Sequence, residues 1–301
     1  MNAARITIFH YRHLEKMKTA GRFPAAPLGP ILRAAEGGPM RIATWNVNSI
    51  RLRAEQATIW LKETQPDVVC LQEIKCQTEQ FPREPFEALG YNVTVHGQKG
   101  FNGVAILSKL PLEDVTHGLA GDADDVQARF IEAVVSVKGG VARVCCIYLP
   151  NGNPPQTEKY DYKLGFMARL KAFTAARLAM EEPLVLAGDF NVIPGPADAA
   201  DPAAWTQDAL YLPRTRAAFR DLIHLGLTDA IRATSDSDKL FTFWDYQAGA
   251  WQRDFGIRID HLLLSPQAAD RLIGAGIDKH VRAWERPSDH VPVWVDLRLA
   301  A

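Results

Sequence analysis

The chain has 301 residues, 47% hydrophobic and 23% charged, with 34 Lys and Arg against 35 Asp and Glu for a formal net charge of -1. This is the composition of a soluble globular protein with ample material for a core, and no window approaches the roughly 18 uninterrupted apolar residues of a membrane span. No global basic excess points to nucleic acid, yet carboxylates gathered at a metal centre would cancel basic residues at its rim, so the total excludes neither class.

In chain order, residues 1 to 39 stand apart: they are richer in basic than acidic residues, carry scattered Pro and Gly, and show no sustained period. They read as an extension that the fold does not need, with a targeting peptide, or upstream sequence before a start at Met40, as the other readings. From residue 40 to 301 strand and helix signals alternate as one domain. "RIATWNVN" reads as a strand, "RAEQATIWLKETQ" as a helix with Ala54, Ala57, Ile59 and Leu61 turned inward, and "DVVCLQE" as a second strand. "GVAILS", "RFIEAVVSV" and "RVCCIYLP" follow as strands, then the long helix "TEKYDYKLGFMARLKAFTAARLAM" with Thr157 as its N-cap. After these come the strand "LVLAGDFNV", the helix "RTRAAFRDLIHLG" and the strands "FTFW", "IRIDHLLLS" and "VPVWVDLRL". In the last, Val291, Val293, Val295 and Leu297 alternate onto one side. So many strands, several joined by short loops, predict a four-layer α/β sandwich: two packed mixed β-sheets flanked by helices. Cys70, Cys145 and Cys146 lie in apolar runs, and with Cys76 they form no CxxC pair, which fits free thiols in a reducing cytoplasm.

The apolar runs share a manner of ending. Asn46 and Asn48 follow "IATW", Glu73 follows "VVCLQ", Tyr148 and Asn151 lie in "IYLPNG", Asp189 and Asn191 follow "LAG", and Asp260 lies in "RIDH". Asp289 and His290 precede the final strand. Residues i and i+2 of a strand share a face, so Asp189 and Asn191 project together from a strand end. One such ending is an ordinary polar turn, but the series suggests a single rim. Metal-assisted cleavage of a phosphate ester suits it: Mg²⁺ takes one or two carboxylates and fills its remaining positions with water and substrate phosphate. Glu73 with Asn46 or Asn48 fits so sparse a site. A Zn²⁺ site would want several His or Cys ligands, and Walker A and GxSxG motifs are absent.

"RIATWNVNSIR", "PDVVCLQEIK", "YNVTVHGQKGFNGVAILSK", "YLPNG", "GDFNV", "FTFWDY", "RIDHLLLS" and "PSDHVPVWVDL" resemble, in order, the motifs of the exonuclease III and abasic-site endonuclease family of the DNase I-like superfamily. The resemblance implies a DNA-repair nuclease with the DNase I-like sandwich, using Mg²⁺ or, in its place, Mn²⁺. It implies that Glu73, Asn46, Asn48 and Asp289 serve the metal, although some members have Asp where Asn48 stands. Asp189 would activate the attacking water, Asn191 orient it, and His290 contact the scissile phosphate with Asp260 behind it. Tyr148 and Asn151 would bind phosphate oxygens. Phe243, Trp244, Ile257 and Ile259 would line a small pocket for a flipped abasic sugar. Lys75, His96, Lys99 and Arg129 would meet the DNA backbone.

The partner implied is duplex DNA with abasic sites or 3′ ends, met by a monomer at no membrane. A phosphatase acting on a non-DNA phosphate ester, or an inactive DNA-binding relative, are the rival readings. The first would want a polybasic headgroup pocket and the second gaps among the acidic positions, and neither is evident.

Overall fold

The computed structural model describes residues 38–137 and 140–299. The predicted extension, residues 1 to 39, lies outside these apart from its last two residues. Strand β1 (Met40–Asn46), helix α1 (Ile50–Thr64) and strand β2 (Val68–Gln72) form a β-α-β unit whose strands run parallel, Ile42 opposite Val68 and Asn46 opposite Gln72. Past the short helix α2 (Glu84–Glu87), strands β3 (Asn92–His96) and β4 (Val104–Ser108) extend this sheet on one side. Strands β11 (Leu272–Ile277) and β12 (Val293–Leu297) extend it on the other, in the order β11-β12-β1-β2-β4-β3.

The second sheet repeats the plan. Strands β5 (Leu112–His117), β6 (Phe130–Val137) and β7 (Gly140–Tyr148) lead through helix α3 (Glu158–Leu178) to β8 (Leu184–Asp189), which pairs parallel with β7. Beyond helix α4 (Pro213–Ile223), strands β9 (Thr228–Asp229) and β10 (Asp260–Leu264) complete the order β5-β6-β7-β8-β10-β9. Each sheet therefore has one parallel pair, bridged by a helix and flanked by antiparallel neighbours; in this shared plan β1, which runs into "WNVN", corresponds to β7, and β8, which runs into "GDFNV", corresponds to β2.

The two sheets face each other across a cluster that includes Ile42, Cys70, Ile106, Ile131, Val144, Val185, Leu262 and Val295. The outer face of the first sheet packs Trp45, Val69 and Leu71 on Ala57, Trp60 and Leu61 of α1. The outer face of the second packs Ile147, Leu186 and Leu263 on Phe166 and Leu170 of α3 and Phe219 of α4. This is the expected four-layer sandwich. The pleat then positions the polar strand ends: Ile42, Cys70, Val144, Val185 and Leu262 face between the sheets, and at even spacing from them stand Asn46, Tyr148, Asp189 and Asp260. Glu73 follows directly after β2, and all of them lie at one mouth of the inter-sheet layer.

Local expectations needed correction at three points. On α1 it is Trp60, fully buried, that faces the core, while Ile59 is 41% exposed. The inward stripe Ala57, Trp60 and Leu61 follows helical spacing from Ile50 and Ala54, which leaves Ile59 on the far side. "FTFW" is not a strand: Phe243 makes only isolated bridges to Ile257 and His290. Thr157 does occupy the N-cap of α3, but its hydroxyl donates to the Pro154 carbonyl at 2.7 Å and makes no capping bond. Among the described residues no helix is long and apolar enough to cross a membrane.

Candidate active site

Asp189 and Asp260 are cross-strand partners on β8 and β10, and the His290 imidazole stands between their carboxylates. Nδ1 of His290 lies 2.8 Å from Asp260 Oδ2, and Nε2 lies 3.7 Å from Asp189 Oδ2. All three side chains are buried. Burial alone would lower the imidazole, but Asp260 first and then Asp189 overcome it and push it up to about 10, so it is an imidazolium at neutral pH. Burial pushes Asp189 up to about 7, with His290 pulling the other way and Asp260 adding to the rise. A carboxylate poised there gives and takes a proton near neutrality. Its Oδ1 accepts from the Asn191 N–H at 2.8 Å and its Oδ2 from Asn46 Nδ2 at 3.0 Å, which aims the group. Gly188 precedes it of necessity, since a Cβ there would sit 1.9 Å from the Ile147 carbonyl oxygen.

Beside this row lies a second cluster. Glu73 Oε1 accepts from Asn46 Nδ2 at 2.9 Å and from the Tyr148 hydroxyl at 2.8 Å. Its Oε2 meets Lys75 Nζ at 2.8 Å, and the same ammonium donates to Asn48 Oδ1 at 2.5 Å. Asn48 Nδ2 donates to Asp289 Oδ1 at 3.0 Å. Burial would raise the Glu73 carboxyl, but Lys75, with help from Asn46, holds it below its ordinary value. Burial and the adjacent Glu73 carboxylate push the Tyr148 phenol well up, so it remains a donor. Asn48, Glu73 and Asn191 all have left-handed backbones, with φ of 43°, 50° and 48°. Asn tolerates this region; for Glu it costs roughly 1–2 kcal/mol, and strain of this kind gathers at functional sites.

The donor chemistry fits a hard divalent cation. Glu73, Asp189 and His290 each bring a possible ligand atom within 4.8 Å of one another; His290 turns Nδ1 to Asp260, and the other donors around Glu73 are oxygens, which a hard cation prefers. Two of these oxygens, Glu73 Oε2 and Asn48 Oδ1, already cradle the Lys75 ammonium. Glu73, Asn46, Asn48 and Asp289 could thus hold the metal, with Asp189 alongside.

The other predicted residues divide. Asn151 joins the cluster, its Nδ2 donating to Asn191 Oδ1 at 3.1 Å. Arg129 lies over the Tyr148 ring at 4.8 Å and donates to the Tyr148 carbonyl. Phe243 packs edge-on against His290, with ring centroids 5.0 Å apart. Ile257 and Ile259 are buried, 1% and 2% exposed, and packed with Ile193, Leu210 and Tyr211. Trp244 belongs to a different layer, fully buried with Phe241 and Trp251 and donating to Asp254. Lys99 is exposed on the loop between β3 and β4 and makes no hydrogen bond to the cluster. His96 turns towards the Phe130 carbonyl and the His117 ring.

Sequence reasoning missed Tyr246, whose hydroxyl takes a bond from Asn48, and Ser288, whose hydroxyl donates to the Asn46 carbonyl at 2.7 Å. It also missed Lys163, which donates to the carbonyls of Asn151 and Asn191. One signal existed for the last: Lys163 stands on the stripe Tyr160, Lys163, Met167, Leu170, where an apolar residue belongs.

Hard oxygen donors next to a buried base and an imidazolium, at the mouth of a two-sheet sandwich, define a metal-assisted phosphoesterase. Residues 43–290 match the Endonuclease/Exonuclease/phosphatase family, and the chain belongs to that family, in its exonuclease III type. It is 35% identical over 268 residues to exodeoxyribonuclease III of Haemophilus influenzae, covering 86% of this chain and 100% of that one. An AP endonuclease from Archaeoglobus fulgidus superposes with a TM-score of 0.81 at 36% identity, over 86% of this chain and 99% of that one. The 3′ phosphatase NExo from Neisseria, solved with a product DNA hairpin, superposes with a TM-score of 0.81 at 38% identity and the same coverage.

Proposed function

We propose that the chain is a DNA-repair nuclease that hydrolyses phosphate esters at the 3′ ends of duplex DNA, removing terminal nucleotides and 3′-phosphates. In this reading Glu73, with Asn46, Asn48 and Asp289, holds Mg²⁺ or Mn²⁺. When bound, the ion polarises a phosphoryl oxygen and neutralises charge that grows there in the transition state. Asp189 takes the proton of the attacking water. Asn191 Nδ2 spends one hydrogen on the Leu149 carbonyl, leaving the other to orient that water. The His290 imidazolium, its Nδ1 side fixed by Asp260, offers Nε2–H to a phosphoryl oxygen. The free N–H of Asn151 serves a remaining oxygen, Tyr148 serves another once its single O–H turns from Glu73 to the phosphate, and Arg129 serves the neighbouring phosphate. Every one of these groups comes from a single copy of the chain, which suits a monomer.

One observation carries the choice of 3′ ends over abasic sites. Selecting an abasic site requires a hole for the extruded sugar, but Ile257 and Ile259, which would form its walls, are buried in one cluster with Leu210 and Tyr211, and of the pocket candidates only Phe243 is partly open. A terminal nucleotide needs no such hole. The test uses labelled duplexes carrying a recessed 3′ end, a 3′-phosphate or one internal abasic site, each with Mg²⁺ and with EDTA. The 3′ substrates should be processed at least about tenfold faster in kcat/KM, a difference of roughly 1.4 kcal/mol in transition-state binding, and EDTA should stop every reaction. Abasic incision at equal or greater kcat/KM would refute the preference, and activity in EDTA would refute the mechanism.

A further inference from the structure

Lys163 is fully buried on α3, on the helix face that packs against the second sheet. Its Nζ donates to the Asn191 carbonyl at 2.6 Å and to the Asn151 carbonyl at 3.0 Å. It makes no ion pair among the described residues. A buried ammonium without a counter-ion is unfavourable, and a methionine of similar length would fill the same space without that penalty. The two carbonyls explain what the charge does there. Asn191 is left-handed, with φ of 48°, so β8 ends and its buried carbonyl loses the strand partner it would otherwise have. Asn151 lies in the loop after β7, and its side chain reaches Asn191 Oδ1. The lysine stem also shapes that loop: Gly152 has φ of +85°, and a Cβ there would meet Lys163 Cδ at 2.6 Å.

We propose that Lys163 is a positioning residue for the reaction, clamping the loops after β7 and β8 so that Asn191 aims the water and Asn151 the phosphate. This rests on the roles given above to those two asparagines. Burial lowers the Lys163 ammonium to about 7, opposed by Asp189 and Asp208, so the molecule keeps here a group that is hard to hold charged.

The test is a double-mutant cycle on the 3′-end reaction with saturating Mg²⁺, comparing Lys163→Met, Asn191→Ala and the two together, with melting followed for each. Lys163→Met should lower kcat by roughly 10- to 100-fold, the scale of a small misplacement of reacting groups, with KM for DNA nearly unchanged. In the Asn191→Ala background it should cost clearly less than it does alone, only the part that acts through Asn151, because one of the two aimed groups is already gone. Lys163→Gln, which keeps a neutral N–H donor group on a shorter stem, should recover part of kcat and serves as the test if Lys163→Met does not fold. A folded Lys163 variant with parental kcat, or losses that multiply fully in the double mutant, would overturn the positioning role. If Asn191→Ala itself leaves kcat intact, the assignment to Asn191 fails instead, and the clamp with it.

Discussion

At the scale of single residues the proposed reaction turns on Asp189 as the base, beside a His290 imidazolium that Asp260 holds in place. Asp189→Asn keeps the hydrogen bonds that an amide can make but removes the base, so cleavage should fall by roughly 10² to 10⁴ while DNA affinity and folding persist. The pH profile should rise as Asp189 loses its proton, at or below about 7 because a bound cation lowers it further, and should fall near 10 as His290 loses its own. Asp260→Asn sharpens the prediction. Asp260 raises both groups, so removing its charge should move both limbs to lower pH. A profile that does not move, measured as kcat against pH, would show that Asp260 is structural only. Asp189, Asn191 and Glu73 could be read from the sequence because a carboxylate or amide at the end of an apolar strand contradicts its surroundings. Lys163 was not read, since lysine on a helix usually lies in solvent, and Trp244 was misread because an aromatic beside a strand bridge looks the same in core and pocket.

At the scale of elements, strand parity accounts for what was legible. Central strands such as β2 and β8 are buried throughout and announce themselves as apolar runs. Edge strands do not: β5 carries Glu113 and Asp114 and is largely exposed, and in β11 two glycines and partial exposure on both faces leave neither a continuous buried run nor a clean alternation. Also hidden in the sequence is the buried network that anchors the segment leading into β10. Arg258 pairs with Asp198 at 2.7 Å and Asp229 at 2.6 Å, and its Nη1 lies 3.1 Å from His261 Nδ1. His261 Nε2 faces the Val192 carbonyl at 3.0 Å, so the ring is neutral, with Nδ1 as acceptor. Burial, with Arg258 adding to it, lowers its pKa from 6.5 to about 4. The unfolded chain therefore binds this proton first. The stability it contributes is complete above pH 6.5 and is lost progressively as pH falls towards 4, by about 3 kcal/mol in all. Melting temperature measured between pH 7 and 4 should fall, and His261→Gln should fall less steeply while starting lower. Parallel curves would place the acid sensitivity elsewhere.

At the scale of the whole molecule, two sheets built to one plan bring their strand ends to a common mouth, and the family assignment and the sandwich were legible because those ends occur in a fixed order. What order along the chain could not convey is burial: Ile257 and Ile259 pack with Leu210 and Tyr211, which lie about fifty residues away and carry no pattern of their own. The same convergence ties stability to the metal. Glu73 comes from the first sheet and Asp189 and Asp260 from the second, so like charges face one another across the layer, offset in part by Lys75 and His290. A cation bound by the folded protein alone should therefore stabilise all of it, by about 2.7 kcal/mol at a hundredfold excess over Kd, or on the order of 5 °C in melting temperature for a chain of this size. Glu73→Gln should fold, because Asn46 and Tyr148 can still bond the amide, but it should lose most of the Mg²⁺-dependent shift and need far more Mg²⁺ for half-maximal cleavage. The two readouts must move together. A variant that keeps the full thermal shift but loses cleavage would mean that Glu73 acts on substrate and that the cation sits on other oxygens of the cluster.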